Sequence, residues 1–226
     1  MYPPELLTPL RRVLPEAALG TVELSSAGGL RLALLEDAYP QHLLDSAAIT
    51  RIMDEPMYWA FCWAAGQVLA RWIYEQRHWV VGRRVLDFGS GSGVVAIAAA
   101  LAGADEVIAC DTDPLARAAC HYNATLNGVA LKVTDDFDAV SGEIDLIVAA
   151  DVLYDSSNKP WLSRFLARAP TVLLADSRVS DLGDPRYRLL GSEESHTLPD
   201  LDESREFRAV RVYGGRRSDP GPGGPP

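Results

Sequence analysis

After Gly82 the chain alternates short apolar runs of strand length with longer runs at helical spacing. Arg84–Phe88, Glu106–Cys110 and Ala130–Thr134 read as strands, and Ile144–Ala150 as a fourth. The fourth is continuously apolar, as expected of a central parallel strand covered on both faces. Between the first two, Val94–Ala102 is small and apolar all round, the pattern of a helix packed hard against a sheet. Leu115, Ala118, Ala119, Tyr122 and Leu126 share one helical face. Asp113-Pro114 opens that helix as N-cap and first helical residue, and Gly128 stops it. Trp161–Ala169 reads as a helix, Thr171–Ala175 as a strand and Phe207–Tyr213 as a late strand. Such alternation predicts an α/β fold with an open, mostly parallel, doubly wound sheet.

The first part of the chain is patterned differently. Residues 1–20 are broken by prolines and partly helical. Thr21–Leu24 and Leu30–Leu35 flank Ala27-Gly28-Gly29 and read as a hairpin. Pro56 to Glu75 is rich in aromatic residues and reads as a helix with Pro56 in its first turn. From Gly214 onward the chain is Gly, Pro, Arg and Ser and is expected to be disordered. The expected division is an extension with a hairpin over 1–55, a nucleoside-binding domain over 56–213 and a tail over 214–226.

Composition narrows the possibilities. With 226 residues, 48% apolar and 23% charged, the chain has the profile of a soluble globular protein. No stretch is long and apolar enough to be a membrane span, and Met1-Tyr2-Pro3-Pro4-Glu5 does not resemble a secretory leader. Three cysteines cannot all pair. Cys62, Cys110 and Cys120 sit in apolar segments and read as thiols of a reducing, cytoplasmic compartment. The four histidines are scattered, so no metal site is expected. A net charge of −10 disfavours a nucleic acid partner and suits a cationic or neutral one.

The segment Val85-Leu86-Asp87-Phe88-Gly89-Ser90-Gly91-Ser92-Gly93 carries the candidate chemistry. A strand runs into alternate glycines, which let backbone approach a ligand, and the next helix offers free N–H groups. Asp87 at the strand end would repel a pyrophosphate but would suit the cationic amino group of a methionine moiety. Gly-x-Gly-x-Gly also departs from the dinucleotide spacing. Both points disfavour a nicotinamide-dependent oxidoreductase. Asp111 ends the second strand, where an acid accepts hydrogen bonds from ribose hydroxyls. Asp135 and Asp136 end the third, within reach of an adenine amino group. A solvated turn is an equal reading for at least one of those two.

This constellation resembles the class I S-adenosylmethionine-dependent methyltransferases. The resemblance implies a seven-stranded, Rossmann-like sheet with one late antiparallel strand, and S-adenosylmethionine as cofactor with S-adenosylhomocysteine as product. It places Asp87, Gly89, Ser90, Gly91, Gly93, Asp111, Asp135 and Asp136 at the cofactor. The fourth strand ends in Asp151-Val152-Leu153-Tyr154, where Asp151 and Tyr154 could hold an amine for in-line methyl transfer. Alternatively, Asp151 caps the helix near Trp161 and Tyr154 packs in the core.

Asp151 to Tyr154 is similar to the Asp-x-x-Tyr motif of the seven-strand protein lysine methyltransferases. Tyr58-Trp59-Ala60-Phe61-Cys62-Trp63-Ala64-Ala65-Gly66-Gln67 and His196 to Ser204 resemble the family acting on the electron transfer flavoprotein β-subunit. That family implies a protein lysine as acceptor and Trp63 lining the cofactor pocket, a role compatible with its being a core aromatic. Leu86–Val129 also resembles the ribosomal protein L11 methyltransferases, so a ribosomal protein is an alternative substrate. An enzyme acting on a small amine and a cofactor-binding module without catalysis are further alternatives.

Overall fold

A computed structural model of the chain describes residues 2–37, 39, 54–200 and 208–217. Six of the predicted strands assemble, with one strand that was not predicted, into a seven-stranded sheet, and the predicted hairpin forms a separate two-stranded sheet. In chain order the strands are β1 (Leu19–Leu24), β2 (Leu30–Leu35), β3 (Arg84–Phe88), β4 (Glu106–Cys110) and β5 (Lys132–Thr134). They continue with β6 (Leu146–Ala150), β7 (Thr171–Asp176), β8 (Tyr187–Glu194) and β9 (Ala209–Arg216). The sheet order is β5-β4-β3-β6-β7-β9-β8. Strands β5, β4, β3, β6 and β7 pair in parallel, while β9 runs antiparallel to both of its neighbours.

The central strands β3, β4, β6 and β7 are buried on both faces, so alternate side chains enter two cores. Val85, Val107, Leu146, Val148 and Leu173 face one side. There they meet α2 (Ala64–Glu75), α3 (Val94–Leu101) and the hairpin residues Leu30, Leu32 and Leu34. Leu86, Ile108, Ile147, Val172 and Leu174 face the other side, against Leu162, Phe165 and Leu166 of α5 (Trp161–Arg168). A third cluster joins Leu6, Leu10 and Val13 of α1 (Pro4–Val13) to Trp59 and to Ala116 and Ala119 of α4 (Pro114–Leu126). The hairpin turn is held tightly under α2. At Gly28 (φ +74°) a Cβ would stand 2.3 Å from the Tyr74 ring.

Two expectations are corrected and one strand is added. Pro56 to Glu75 is not one helix. Helix α2 begins at Ala64, and only a short 3-10 turn, Tyr58–Ala60, precedes it. Backbone pairing explains the break: Cys62 N–H donates to Leu198 O at 2.7 Å, and Leu198 N–H donates to Cys62 O at 2.9 Å. Cys62 is thus held in a bridge and Trp63 in an extended conformation (φ −65°, ψ 150°). Next, β9 continues through Gly214-Gly215-Arg216, because these glycines pair with β7 and β8. Finally, β8 lacks a clear strand pattern in the sequence. It is an edge strand with one fully buried residue, Tyr187, and a register shift between Leu189 and Gly191. Residues 201–204 of the stretch from His196 to Ser204 lie outside the described residues, as does Phe207.

Candidate active site

The parallel register aligns the strand ends. Phe88 pairs with Cys110 and Ala149, Cys110 with Thr134, and Ala150 with Ala175. The residues that follow therefore emerge in one row, with Asp111 and Gly89 on one side and Asp151 on the other. The sheet order reverses between β3 and β6, where a crevice for a ligand opens in such sheets. A cleft of about 1170 Å³ lies there. Trp63, Gly89, Gly91, Asp111, Asp135, Asp136, Asp151 and Tyr154 all line it.

The glycine loop needs its glycines. Gly89, Gly91 and Gly93 have φ of +69°, +50° and +83°, in the left-handed region. A Cβ on Gly89 would meet Val152 Cγ1 at 2.9 Å, and one on Gly93 would meet Cys120 Sγ at 3.1 Å. Around Gly91 there is open space, so that residue is constrained only by its backbone. Asp111 ties the loop to β4, since its Oδ2 accepts Gly91 N–H at 2.9 Å and its Oδ1 accepts Asp113 N–H at 3.0 Å. Each of these oxygens keeps a lone pair for a further donor. Partial burial holds the Asp111 carboxyl above its ordinary pKa. Asp113 caps α4, its Oδ1 accepting Leu115 N–H at 2.8 Å.

Asp87, Ser90 and Gly93 lie beneath this surface and do not line the cleft. Asp87 is 2% exposed, and its Oδ2 accepts Ala96 N–H from α3 at 3.0 Å. Burial, with a contribution from the nearby Asp111 charge, pushes its carboxyl up to about 7. Ser90 Oγ accepts from the buried Cys120 thiol, and Gly93 is the N-cap of α3. Asp135 stands 4.0 Å from Arg117 with an exposed side chain. Asp136 makes a local turn, its Oδ1 accepting Asp138 N–H at 2.8 Å. Both line the cleft, so turn and ligand-facing positions coincide.

Asp151 has φ +51°, a left-handed conformation that Asp tolerates better than most residues. It does not cap α5. Its Oδ1 accepts Ser177 N–H at 2.9 Å and Ser177 Oγ–H at 2.7 Å, while Oδ2 accepts Ala65 N–H at 3.2 Å. Three elements are joined at this carboxylate, and Oδ2 accepts only one of the bonds, so it keeps a lone pair for a further donor. Burial pushes the Asp151 carboxyl up to about 6, opposed by the hydrogen bonds it accepts from Ser177 and Ala65. Tyr154 is not a core residue: it is 59% exposed, 6.0 Å ring to ring from Tyr58.

The structure adds cleft residues that sequence reading missed. Phe88, Phe137, Trp161 and Arg164 line the wall near β5, with Arg164 stacked 3.9 Å over Trp161 and bonded to Asp138. Phe137 follows the acidic pair directly, which was the one available signal. Trp161 and Arg164 come from a helix that looks purely structural in sequence. On the opposite wall stand Pro9 and Val13 of α1 and Tyr58 and Trp59 of the loop before α2.

A nucleoside with a charged amino-acid tail fits this donor set. The loop offers close backbone approach, Asp111 offers a carboxylate, and the aromatic wall offers faces for a base. The strand order, the single antiparallel strand β9 and the glycine loop at the switch point together define the fold of the class I S-adenosylmethionine-dependent methyltransferases. A solved structure of that fold, magnesium protoporphyrin IX methyltransferase from Synechocystis with bound S-adenosylmethionine, superposes with a TM-score of 0.51 at 20% identity. The match covers 69% of this chain and 80% of that one.

In sequence, the chain resembles the electron transfer flavoprotein β-subunit lysine methyltransferases. It is 36% identical over 154 residues to the Rattus norvegicus protein, covering 65% of this chain and 58% of that one. To the Danio rerio protein it is 41% identical over 159 residues, covering 66% and 62%. The match therefore spans less than two thirds of the length of these curated relatives. The family model of the ribosomal protein L11 methyltransferase (PrmA) matches residues 71–156.

Proposed function

We propose that the chain is an S-adenosylmethionine-dependent methyltransferase acting on a lysine side-chain amine of a protein. The observation that carries this reading is the placement of Asp151 and Tyr154 on the cleft wall next to the glycine loop, across the β3/β6 switch point. Similarity to the lysine methyltransferases supports the acceptor. Gly89, Gly91 and Asp111 would hold the nucleoside and tail, with Trp63, Asp135 and Asp136 around it. Asp87, Ser90 and Gly93 would act from below by fixing the loop. When bound, the cofactor supplies an electrophilic methyl group on a sulfonium. The amine nitrogen forms the new N–C bond, the C–S pair returns to sulfur, and one amine proton must leave.

The protein's part is to position and desolvate the amine. The open lone pair of Asp151 Oδ2 can accept an N–H of the amine, which orients its lone pair. The ionised carboxylate can take up a proton directly or through water. Tyr154, whose hydroxyl has no hydrogen-bond partner among the described residues, offers a second polar contact. The net charge of −10 suits a basic protein segment, and buried, unpaired thiols suit a reducing compartment such as the cytoplasm.

The match of the L11 methyltransferase model over the cofactor half favours one second reading, a ribosomal protein acceptor. Labelled S-adenosylmethionine supplied with purified electron transfer flavoprotein β-subunit or with ribosomal protein L11 separates the two. Label mapped to lysine residues of the first protein is expected. Label only in L11 selects the second reading, and label only in added small amines refutes a protein acceptor.

A further inference from the structure

The cleft that Asp151 lines also carries two exposed aromatic rings, Tyr58 and Tyr154, and a half-buried one, Trp63. Tyr58 is 47% exposed, and its ring centroid lies 6.0 Å from that of Tyr154. On its other side, Trp63 meets the Tyr58 ring edge-on at 5.7 Å. The Trp63 indole N–H donates to the Tyr58 carbonyl at 3.0 Å, so the turn that presents one ring also fixes the other. All three line the same cleft as Asp151. Two residues beyond Trp63, Ala65 N–H donates to Asp151 Oδ2. The row of rings is thus anchored on the segment that holds the carboxylate and has two solvent-exposed members.

Isolated exposed aromatics are common, but two exposed rings and a half-buried one in contact, lining the same cleft as a carboxylate, are not explained by core packing. Ring faces carry negative charge density and attract an alkylammonium group, while their flat apolar surface suits a methylene chain. A carboxylate at the inner end adds ordinary charge complementarity. We propose that Tyr58, together with Trp63 and Tyr154, forms an aromatic slot that binds the alkylammonium side chain of the acceptor, with Tyr58 as a specificity-determining residue. This rests on the reading of the chain as an amine methyltransferase. It goes beyond that reading by assigning acceptor recognition to a residue outside the Asp-x-x-Tyr motif and on a different segment.

The test uses the full chain saturated with S-adenosylhomocysteine and titrated with n-butylammonium, read by the NMR shift of the Trp63 indole N–H. A saturable shift is expected in the wild type. Tyr58→Leu should weaken binding about two- to fivefold, in the range of an exposed cation–π contact. Tyr58→Phe, which keeps the ring face, should restore it. S-adenosylhomocysteine affinity, measured by calorimetry, should be the same in all three proteins. No saturable shift in the wild type, or equal binding in Tyr58→Leu, overturns the slot. Equal damage by Tyr58→Phe also overturns it, because the hydroxyl rather than the ring would then hold the ligand. A slot that binds n-butylammonium in a protein that methylates no amine supports the slot and refutes the activity reading, so the two failures are distinguishable.

Discussion

The two sides of the cleft are built in different ways. The cofactor side is made mainly of two neighbouring strand-end loops: Asp111 accepts Asp113 N–H, two positions away, and Gly91 N–H, 20 positions away, and Asp113 in turn caps its own helix. The acceptor side is made of residues far apart in the chain. Asp151 is held by Ala65, 86 positions away, and by Ser177, 26 positions away. Tyr58 and Tyr154 meet only because the loop before α2 and the loop after β6 come together at the carboxyl end of the sheet. Local motifs thus set up a nucleoside site nearly by themselves, whereas acceptor geometry depends on how α2, β6 and β7 pack.

Breaking the acceptor side should have the largest effect on activity. Asp151→Asn keeps a residue that accepts the left-handed φ, but it loses the charge and turns an amide N–H₂ or a lone oxygen toward Ala65 N–H. Methyl transfer should fall by about 100-fold or more, the usual loss when a positioned acid or base is removed. S-adenosylhomocysteine affinity, measured by calorimetry, should stay near wild type. An equal loss of cofactor affinity would show that the two sides are not separable.

Breaking the cofactor side should reverse that pattern. Gly89→Ala places a Cβ 2.9 Å from Val152 Cγ1 at a φ of +69°. The left-handed conformation alone costs about 1–2 kcal/mol for an L-residue, so cofactor affinity should drop about tenfold or more. A Gly89→Ala protein that binds S-adenosylhomocysteine normally would refute the contact of that loop with the cofactor.

The smallest effect sharpens the comparison through pH. Asp87 is buried with its pKa pushed up to about 7, so the folded state holds its proton more tightly than the unfolded chain does. The stabilisation from this group is complete below the unfolded value, near 4, and is lost as pH rises through about 7. Between pH 6 and pH 8 that loss is about 1 kcal/mol, or about 2–4 °C in Tm. Asp87→Asn should flatten this dependence and raise Tm at pH 8. A Tm that rises from pH 6 to pH 8 in the wild type and not in the variant would contradict the burial of an ionisable Asp87.

How legible each feature was follows the same division. Strand ends at Phe88 and Cys110, the Asp113 cap and the positive φ at Gly89, Gly91 and Gly93 were readable because they depend on neighbours in sequence. The break before α2 was not, because it is imposed by Cys62 pairing with Leu198. Strand β8 was hidden because an edge strand needs no alternating burial. Trp161 and Arg164 looked structural because helix periodicity records which face is buried, not what its rim faces.

The sequence by itself determined the α/β class, the presence of a late strand and the loop that marks the nucleoside site, since each follows from short-range apolar period or local backbone chemistry. The antiparallel direction of that strand was implied only by the family resemblance. Only the tertiary structure decided that Asp87 lies below the cleft rather than in it. It alone joined Asp151 to Ala65 and Ser177 and gathered Tyr58, Trp63 and Tyr154 into one row. Those outcomes depend on strand register and loop crossing, which no local pattern encodes.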